Sequence, residues 1–251
     1  MSQPTAAMLV IGDEILSGRT REGNAHHLAG VLTEIGVKLI EVRVVPDVKA
    51  EIIAAVQALS AKADHVFTSG GIGPTHDDIT ADCVAEAFGE HLGVREDARA
   101  ILEAHYAETG RELNAARLRM ARIPDGAELI LNPVSAAPGF KIGNVHVMAG
   151  VPSVFHAMVE QVRPTLKGGP KVLSWSLRCE IGEGDLAGPL GETQAAFPDV
   201  SMGSYPFVTA TGVGSVLVLR DFEPARLEAA VVALRKALAP LGGPVSETPP
   251  G

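Results

Sequence analysis

A stretch of thirteen residues, Thr68 to Thr80 with the sequence TSGGIGPTHDDIT, limits the possible folds more than any other part of the chain. The residues before it have the apolar pattern of a buried strand, and a helical pattern starts at Ile79. Gly70 to Gly73 contains three glycines, which leave the backbone open to a ligand, and Pro74 fixes one φ angle. A strand, a glycine turn and a helix N-terminus in this order predict a concave set of backbone N–H donors that binds an anion.

Two carboxylates, Asp77 and Asp78, follow at the place where the anion is expected. Alone they would repel it, but a divalent metal ion that bridges carboxylate and phosphate removes the conflict, and Mg²⁺ is commonly held in this way. In a simpler alternative, one aspartate caps the next helix and Thr80 supports its first turn. The spacing of the glycines does not match G-x-G-x-x-G, and the chain has no G-x-x-x-x-G-K-[ST] segment, so neither a Rossmann fingerprint nor a P-loop is predicted.

Upstream of this stretch, apolar runs alternate with helical patterns in the order β-α-β-α-β-α. Ala6 to Ile11 and Val37 to Val45 have the composition of buried strands. Asn24 is expected to cap the helix between them, which ends at Gly36. Alternation at this spacing predicts an α/β fold with parallel strands and right-handed crossovers.

Polar residues follow both of these strands. Gly12, Asp13 and Glu14 follow the first strand, and Asp47 comes shortly after the second. Open parallel sheets place their ligand-binding groups at the carboxyl ends of strands, so all four residues are candidates for the site. A second interpretation stays open for Asp47, because an aspartate at this point also caps the helix predicted at Val48 to Leu59.

Two later loops resemble the first in composition. Asn132 to Phe140, with the sequence NPVSAAPGF, follows a short strand. Ala149 to Pro152 follows the predicted strand Val145 to Met148 and precedes a helix that starts near Ser153. Ordinary turn chemistry explains both loops as well as ligand contact does.

The net charge of −9 argues against a nucleic-acid partner, because neutralising the phosphates of DNA or RNA needs a basic stripe.

Cys83 and Cys179 form neither a CxxC motif nor a disulfide framework, so a reducing cytoplasm is the expected location. No apolar segment approaches the roughly 20 residues that cross a bilayer, and the N-terminus lacks the basic region of a secretory signal. No membrane partner is therefore expected.

The 251 residues suffice for a main domain and a smaller one. Pro164 to Pro170, with the sequence PTLKGGP, is the predicted hinge between a domain at 1–168 and one at 171–251. The second domain is predicted to be a small α+β domain whose tail frays from Gly242 onward. Its expected strands are Lys171 to Glu180 and Gly214 to Arg220, and its expected helices are Glu183 to Glu192 and Pro224 to Leu241.

Several of these segments together resemble a known family. They are GDEIL at Gly12 to Leu16 with Asn24, the loop GGIGPTHDDIT, the loop NPVSAAPGF and the segment AGVPSVFHAM. In this order they resemble the MoaB/Mog molybdopterin-binding domain, and more narrowly the N-terminal part of the competence/damage-inducible protein A (CinA) family. That region is also similar to the molybdopterin-binding-like part of eukaryotic FAD synthases. The resemblance covers nearly the whole chain, because CinA proteins carry a small KH-like domain after the first one.

The resemblance implies a three-layer α/β sandwich with a mostly parallel sheet, followed by the KH-like α+β domain. It implies that the GGIGP loop and the loop after Met148 hold a pterin phosphate or a nucleotide pyrophosphate. It further implies that Asp47 and Asp78 are the catalytic residues and the ligands of a divalent metal ion, Mg²⁺ or similar. Relatives form oligomers, so a homodimer or homotrimer is expected.

The chain departs from the family pattern at several positions. Where CinA relatives read PGVPxEM, this chain has Ala149, Val154 and Phe155 in place of the first proline, the glutamate and the methionine. Ser135 replaces the glycine of NPxG, and Ser69 replaces a threonine. One carboxylate of the family pattern is therefore missing.

Two hypotheses about function follow from the loop and the resemblance. In the first, the protein is a metal-dependent hydrolase of a nucleotide diphosphate such as ADP-ribose. In the second, it is a non-catalytic module that binds molybdopterin and serves molybdenum cofactor metabolism. Both predict the ligand-binding residues Gly12, Asp13, Glu14, Asn24, Ser69, Gly70, Gly71, Gly73, Pro74, Thr75, Asp77, Thr80, Pro138, Gly139, Gly150 and Pro152.

Overall fold

A computed structural model describes residues 3–209 and 212–250 of the chain. Internal contacts divide the chain into two compact units, Met1–Gly169 and Pro170–Gly251. Within residues 3–209 and 212–250, none of the helices combines the length and the apolar character that crossing a bilayer demands.

The larger unit alternates strands and helices. Its strands are Thr5–Ile11 (β1), Lys38–Val45 (β2), His65–Ser69 (β3), Leu92–Val94 (β4), Arg122–Pro124 (β5), Glu128–Ile130 (β6), Gly139–Ile142 (β7) and Val145–Met148 (β8). Its helices are Asp13–Leu16 (α1), Asn24–Glu34 (α2), Lys49–Lys62 (α3), Thr80–Phe88 (α4), Glu96–Glu108 (α5), Ala115–Leu118 (α6) and Pro152–Val162 (α7).

Six of these strands form one sheet in the order β2-β1-β3-β8-β7-β6. The first four are parallel, and β7 and β6 join antiparallel. The prediction of a mostly parallel sheet is confirmed. The parallel arrangement brings the carboxyl ends of β1, β3 and β8 to the same edge.

Both faces of the sheet are covered, as β1 shows. Ala7, Leu9 and Ile11 pack into one cluster with buried residues of α3 and α4. Their neighbours Ala6 and Met8 point to the other face, where α2 and α7 cover them. Because successive residues of a strand alternate between faces, a strand that is covered on both must be apolar throughout. This arrangement gives the three layers that were predicted.

Four polar residues do not cap helices as the sequence suggested. The residue before α2 is Gly23, and Asn24 is already the first helical residue. Val48 precedes α3 and Ile79 precedes α4, and neither helix receives a capping hydrogen bond from a side chain. The capping interpretations of Asn24, Asp47 and Asp78 are therefore wrong, because the side chains of these residues bond elsewhere. The same holds for Asp77, whose carboxylate is contacted by the hydroxyl of Thr75.

The smaller unit is an α+β domain built on an antiparallel sheet. Its elements in chain order are Leu173–Cys179 (β9), Glu183–Ala196 (α8), Ser201–Thr209 (β10), Gly212–Asp221 (β11), Pro224–Leu238 (α9) and Ser246–Thr248 (β12). The sheet has the order β10-β11-β9-β12, and its core joins buried leucines of β9, β11 and α9. The KH-like character of this domain stays a prediction.

Two features of the smaller unit differ from the sequence prediction. The strand β10 was not predicted at all. In contrast to the fraying expected from Gly242 onward, β12 pairs with β9. Glu247 of β12 accepts two hydrogen bonds from Arg235 of α9, at 2.9 and 2.7 Å, which fixes this part of the tail to the domain.

Candidate functional site

The carboxyl ends of β1, β3 and β8 meet through bare backbone. The N–H of Gly70, just after β3, donates to the carbonyl of Met148 at 3.2 Å. A Cβ atom added to Gly70 would lie 2.2 Å from the carbonyl oxygen of Ile11, and one on Gly150 would lie 3.2 Å from the Cα of Gly70. No larger residue fits at the centre of this junction, so the glycine at position 70 is required by the approach of three strand ends.

The glycine loop is joined to the start of α4. Gly70 and Gly71 have φ angles of 112° and 68°, in the region that favours glycine. The hydroxyl of Thr80 donates to the carbonyl of Gly70 at 3.0 Å, and its N–H donates to the carbonyl of Gly71 at 3.0 Å. A Cβ atom on Gly71 would lie 2.1 Å from the Thr80 hydroxyl oxygen. Thr80 therefore fixes the loop rather than facing a ligand.

The second half of the loop is held by Thr75. Its N–H and its hydroxyl lie 2.8 and 2.6 Å from the same carboxylate oxygen of Asp78. The hydroxyl also lies 2.5 Å from a carboxylate oxygen of Asp77, and this hydrogen bond lowers the pKa of Asp77. A hydroxyl has one proton and donates to one carboxylate at a time. The contacts nevertheless hold both carboxylates at the loop tip.

Asp47 brings a third carboxylate from β2. One of its oxygens accepts a hydrogen bond from the backbone N–H of Asp13 at 2.9 Å. Burial raises the pKa of Asp47, and the nearby charges of Asp13, Glu14 and Asp77 raise it further. Because negative charges surround this partly buried carboxylate, binding of a proton or of a cation at Asp47 is favoured. The electrostatics of this edge are therefore suited to a positively charged group.

These elements enclose a cleft of about 350 Å³. It is lined by Ile11, Gly12, Glu14, Asp47, Gly70, Gly71, Ile72, Gly73, Asp77, Asp78, Met120, Asn132, Ser135, Ala137, Ala149, Gly150, Val151 and Val154. The bare backbone of the glycine loop and the carboxylates of three different chain segments thus face one space.

Nine of the predicted site residues line this cleft, and others support it from behind. The lining residues among them are Gly12, Glu14, Asp47, Gly70, Gly71, Gly73, Asp77, Asp78 and Gly150. Asp13, Thr75 and Thr80 hold the lining residues through the hydrogen bonds described above. Pro138 lines a smaller hollow beside the cleft.

Gly139, Pro152 and Pro74 are not among the residues that line the cleft. Gly139 lies in β7, where a Cβ atom would meet the carbonyl oxygen of Val147 at 2.2 Å, so its role is close packing of strands. Pro152 is the first residue of α7.

Asn24 and Ser69 form a buried connection below the cleft. The side-chain amide of Asn24 donates to the hydroxyl of Ser69 at 2.9 Å and to the carbonyl of Gly150 at 2.8 Å. The two side chains are 5% and 3% exposed. They tie the start of α2 to the ends of β3 and β8, so they position the glycine turns rather than line the cleft.

The sequence interpretation missed an apolar wall of the cleft. Ile72, Met120, Ala137 and Val154 line it, and each comes from a different part of the chain. Asn132 and Ser135 of the NPVSAAPGF loop also line the cleft, and the amide of Asn132 donates to the hydroxyl of Ser135 at 2.7 Å. No signal in the sequence pointed to Met120.

The donor set fits one mode of metal binding and excludes another. Carboxylate oxygens are the ligands that Mg²⁺ prefers. Among the residues that the structure describes, no group of three or more His, Cys, Asp or Glu is arranged to hold a metal ion. The site is therefore not a protein cage. Asp47 and Asp78 fit the other mode, in which one or two carboxylates share the ion with phosphate oxygens of the ligand.

Two family models match the chain. The model described as a probable molybdopterin binding domain matches residues 7–168. The model of the FAD synthase middle domain matches residues 171–242.

Individual proteins agree with these models. A CinA-like protein of Myxococcus xanthus is 38% identical over 65% of this chain and 41% of its own. A probable FAD synthase of Caenorhabditis elegans is 32% identical over 94% of this chain and 50% of its own. The crystal structure of the protein CinA with unknown function from Thermoplasma acidophilum is 34% identical, covers 65% of this chain and 98% of its own, and has a TM-score of 0.60.

Proposed function

The chain belongs to the molybdopterin-binding domain family of the MoaB/Mog type, and on that premise we propose that its larger unit binds a phosphate-bearing pterin or adenine nucleotide. We propose further that it hydrolyses a nucleotide diphosphate such as ADP-ribose with the help of a divalent metal ion. One observation carries the proposal. The bare backbone of Gly70 to Gly73 and the carboxylates of Asp47, Asp77 and Asp78 line the same cleft.

The glycine loop supplies the phosphate site. Gly70 and Gly71 expose main-chain atoms where any side chain would collide with Ile11 or Thr80. The loop leads into the N-terminus of α4, where the helix dipole favours negative charge. A phosphate group on the loop is stabilised by both effects.

The carboxylates supply the metal site. Asp78 is oriented by Thr75, and Asp47 is oriented by the N–H of Asp13. A divalent ion bound there would polarise the phosphoryl oxygens and lower the cost of charge that develops during hydrolysis. In this proposal Asp47 orients a water molecule towards the phosphate.

The apolar wall supplies the ring site. Ile72, Met120 and Val154 face the same cleft as the glycine loop. Ligand pockets usually combine such apolar walls with a few polar groups that fix orientation. A flat pterin or adenine ring fits this wall while its phosphate lies on the loop.

The resemblance of the smaller unit supports a nucleotide diphosphate as substrate. Residues 171–242 match the FAD synthase middle domain, and the C. elegans relative is named a probable FAD synthase. FAD and ADP-ribose share an adenosine diphosphate group, which is the part that the cleft would recognise. The chain spans about half of that relative, so the synthase activity itself is not transferred.

The test is release of AMP from ADP-ribose and from FAD in the presence of Mg²⁺, Mn²⁺ or Co²⁺. We expect turnover by the wild-type protein and a loss of at least about 100-fold in Asp47→Asn, in line with the removal of a group that stabilises a transition state. Asp125→Asn is the matched control, because Asp125 is exposed, forms its ion pair with exposed His91 and does not line the cleft. Absence of AMP with every ion would refute the hydrolase.

A second candidate function is binding without turnover, which serves molybdenum cofactor metabolism. It is favoured by Val154, which lines the cleft where relatives carry a glutamate, so one acidic group is missing. This function predicts that molybdopterin raises the melting temperature equally with and without a chelator. If the protein is instead a hydrolase whose metal ion bridges ligand and protein, the ligand should raise the melting temperature less when a chelator is present.

We also propose that the protein is a cytoplasmic homodimer or homotrimer. The proposal is supported only by the resemblance to oligomeric relatives and by the unpaired cysteines. Light scattering coupled to size-exclusion chromatography tests it, and a monomer at all concentrations would contradict it.

A further inference from the structure

A narrow hollow opens beside the cleft and shares part of its wall. Gly71, Ile72, Gly73, Asp78 and Met120 line both spaces. The hollow continues past them to Arg119, Pro138 and Phe140 and leaves about 20 Å³ for a water-sized group. A space of this size holds one ligand oxygen atom, while the rest of a phosphoryl group and any ring stay in the wider cleft. A ligand that lies on the glycine loop therefore has a second, smaller site next to it.

Arg119 is the side chain in this hollow with unused hydrogen-bonding capacity. It begins the 3-10 turn Arg119–Ala121 after α6. Its Nη2 donates to the carbonyl of Asp78 at 3.4 Å, which is a long and weak contact. Its Nε–H is buried and has no acceptor among the described residues. No carboxylate in the described part of the chain lies within ion-pair distance of it.

The other charged side chains of the hollow have hydrogen-bond partners of their own. Arg122 donates two hydrogen bonds, at 3.0 and 2.5 Å, to the two carboxylate oxygens of Asp82. The carboxylate of Asp78 accepts from Thr75. Arg119 is thus the lining group whose positive charge faces the hollow without a matched anion from the described residues.

We propose that Arg119 binds the second phosphoryl group of a diphosphate ligand whose first phosphoryl group lies on the Gly70–Gly73 backbone. Arg119 lines the hollow, and among the described residues its Nη2 has only the weak contact with the carbonyl of Asp78, so a phosphate oxygen in the hollow would give the guanidinium a stronger, charged acceptor. The guanidinium is planar and presents parallel N–H donors that match phosphate oxygens. The inference rests on the proposed function and narrows it, because it assigns the cleft to diphosphates rather than monophosphates.

The test compares ligands with one and two phosphoryl groups by isothermal titration in the presence of Mg²⁺. The pairs are inorganic phosphate with inorganic pyrophosphate, and AMP with ADP-ribose in its non-hydrolysable α,β-methylene form, because the proposed activity would consume ADP-ribose itself during the titration. In Arg119→Ala we expect the affinity for pyrophosphate and the ADP-ribose analogue to fall about 10- to 100-fold, as expected for a lost charged hydrogen bond. The affinity for phosphate and AMP should change less than about twofold by the same reasoning.

Two further variants separate charge from geometry. Arg117→Ala removes the same charge two residues away, where the guanidinium stacks on Tyr106 and does not line the hollow. We expect it to bind all four compounds like the wild type. Arg119→Lys keeps the charge and loses the planar fork, so its affinity for pyrophosphate should lie between those of Arg119→Ala and the wild type.

The outcomes distinguish this inference from the function on which it rests. If Arg119→Ala lost the same affinity for the compounds with one phosphoryl group as for those with two, the second phosphate site would be overturned and the proposed function would stay intact. A wild-type protein that binds none of the four compounds would remove both. Circular dichroism of each variant confirms that a lost affinity does not come from unfolding.

Discussion

Two neighbouring strands, β3 and β8, lead through glycine turns into helices, yet the two turns do different things. The turn after β3 runs from Gly70 to Ile79, and the turn after β8 runs only from Ala149 to Val151. The long turn carries Asp77 and Asp78, which line the cleft. The short turn holds no carboxylate and packs Gly150 against the Cα of Gly70. Both turns therefore bring glycine backbone to the cleft, and only the long turn adds carboxylates to it.

The largest effect should come from filling the long turn. Gly71 has a φ of 68°, and a Cβ atom there collides with the hydroxyl of Thr80. We expect Gly71→Ala to lower the free energy of unfolding by about 2 to 4 kcal/mol and to abolish ligand binding, because strained backbone and collision add. Urea denaturation and ligand titration measure the two effects.

Gly110→Ala is the matched control for this change. Gly110 has a φ of 65°, and a Cβ atom there meets nothing within 4 Å. Gly110→Ala should lower the free energy of unfolding by only about 1 kcal/mol, from the backbone strain alone. If Gly71→Ala and Gly110→Ala lowered the free energy of unfolding equally, the collision with Thr80 would contribute nothing.

The second prediction adds a carboxylate to the helix that follows the short turn. Val154 lies in the first turn of α7, is 6% exposed and lines the cleft. We expect Val154→Glu to cost about 1 to 3 kcal/mol of folding stability without metal, because a charge is buried without a partner. Mg²⁺ should restore part of that loss, as a rise in melting temperature.

Val151→Glu is the comparison for the added carboxylate. Val151 lines the same cleft but is 59% exposed. Its substitution should leave the stability within about 0.5 kcal/mol of the wild type. If Mg²⁺ raises the melting temperature of neither variant above that of the wild type, a carboxylate in or after the short turn does not strengthen metal binding.

The third prediction concerns the strands before the two turns. His146 of β8 pairs with Phe67 of β3, and their rings stack at 4.9 Å. His146 is 1% exposed, and burial lowers its pKa to about 3, with small contributions from His65 and Lys141. The folded state thus binds a proton only near pH 3, whereas the unfolded chain binds one near pH 6.5.

Above pH 6.5 the burial of neutral His146 costs the folded state nothing in proton binding. As the pH falls from 6.5 towards 3, the unfolded chain binds a proton that the folded state does not, so the free energy of unfolding decreases. At pH 5 the loss amounts to about 2 kcal/mol relative to pH 7. His146→Leu should remove this part of the pH dependence in urea denaturation, and the exposed His91→Leu should leave it unchanged. A wild-type slope that persists in His146→Leu would assign the pH dependence to other groups.

The smallest effect should come from the hydroxyl that holds the tip of the long turn. Thr75→Val removes the hydroxyl contacts with Asp77 and Asp78 without changing the size of the side chain, and it leaves the hydrogen bond from the backbone N–H to Asp78 in place. We expect a loss of about 1 kcal/mol or less and a weakening of ligand binding by about fivefold, because the carboxylates lose their orientation. Thr109→Val, at the exposed end of α5, should weaken no ligand. Unchanged binding by Thr75→Val would show that the tip orders itself without the hydroxyl.

The sheet and the glycine loop were predictable from sequence because their signals are local. The run TAAMLVI of β1 is apolar throughout, which is typical of a strand that is covered on both faces. The loop after β3 combines glycines and aspartates within a few residues. Such patterns identify the element and the approximate place of the cleft.

The roles of individual polar residues were not predictable because their partners lie far away in sequence. Asn24 bonds to Ser69 and Gly150, and Asp47 bonds to the N–H of Asp13. Capping preferences consider only the next few residues, so they assign such side chains to the nearest helix. Tertiary contacts outweighed the local preference at Asn24 and Asp47.

The missed elements have weak local patterns for physical reasons. β10 reads SMGSYPFVT, in which Gly203 and Pro206 interrupt any alternation. An edge strand tolerates proline because one side of it makes no ladder bonds, and β10 lies at the edge of its sheet. The apolar wall of the cleft escaped prediction because Ile72, Met120 and Val154 meet only in the folded chain.

Trp175 on β9 gives the smaller unit an optical signal of its own. It is the one tryptophan of the sequence, and its indole N–H donates to Glu247 of β12 at 3.3 Å. Intrinsic emission excited at long wavelength therefore follows the antiparallel domain and the attachment of its tail, while circular dichroism follows both domains. Melting curves recorded by the two methods on one sample would separate if the domains unfold independently, without any label or truncation.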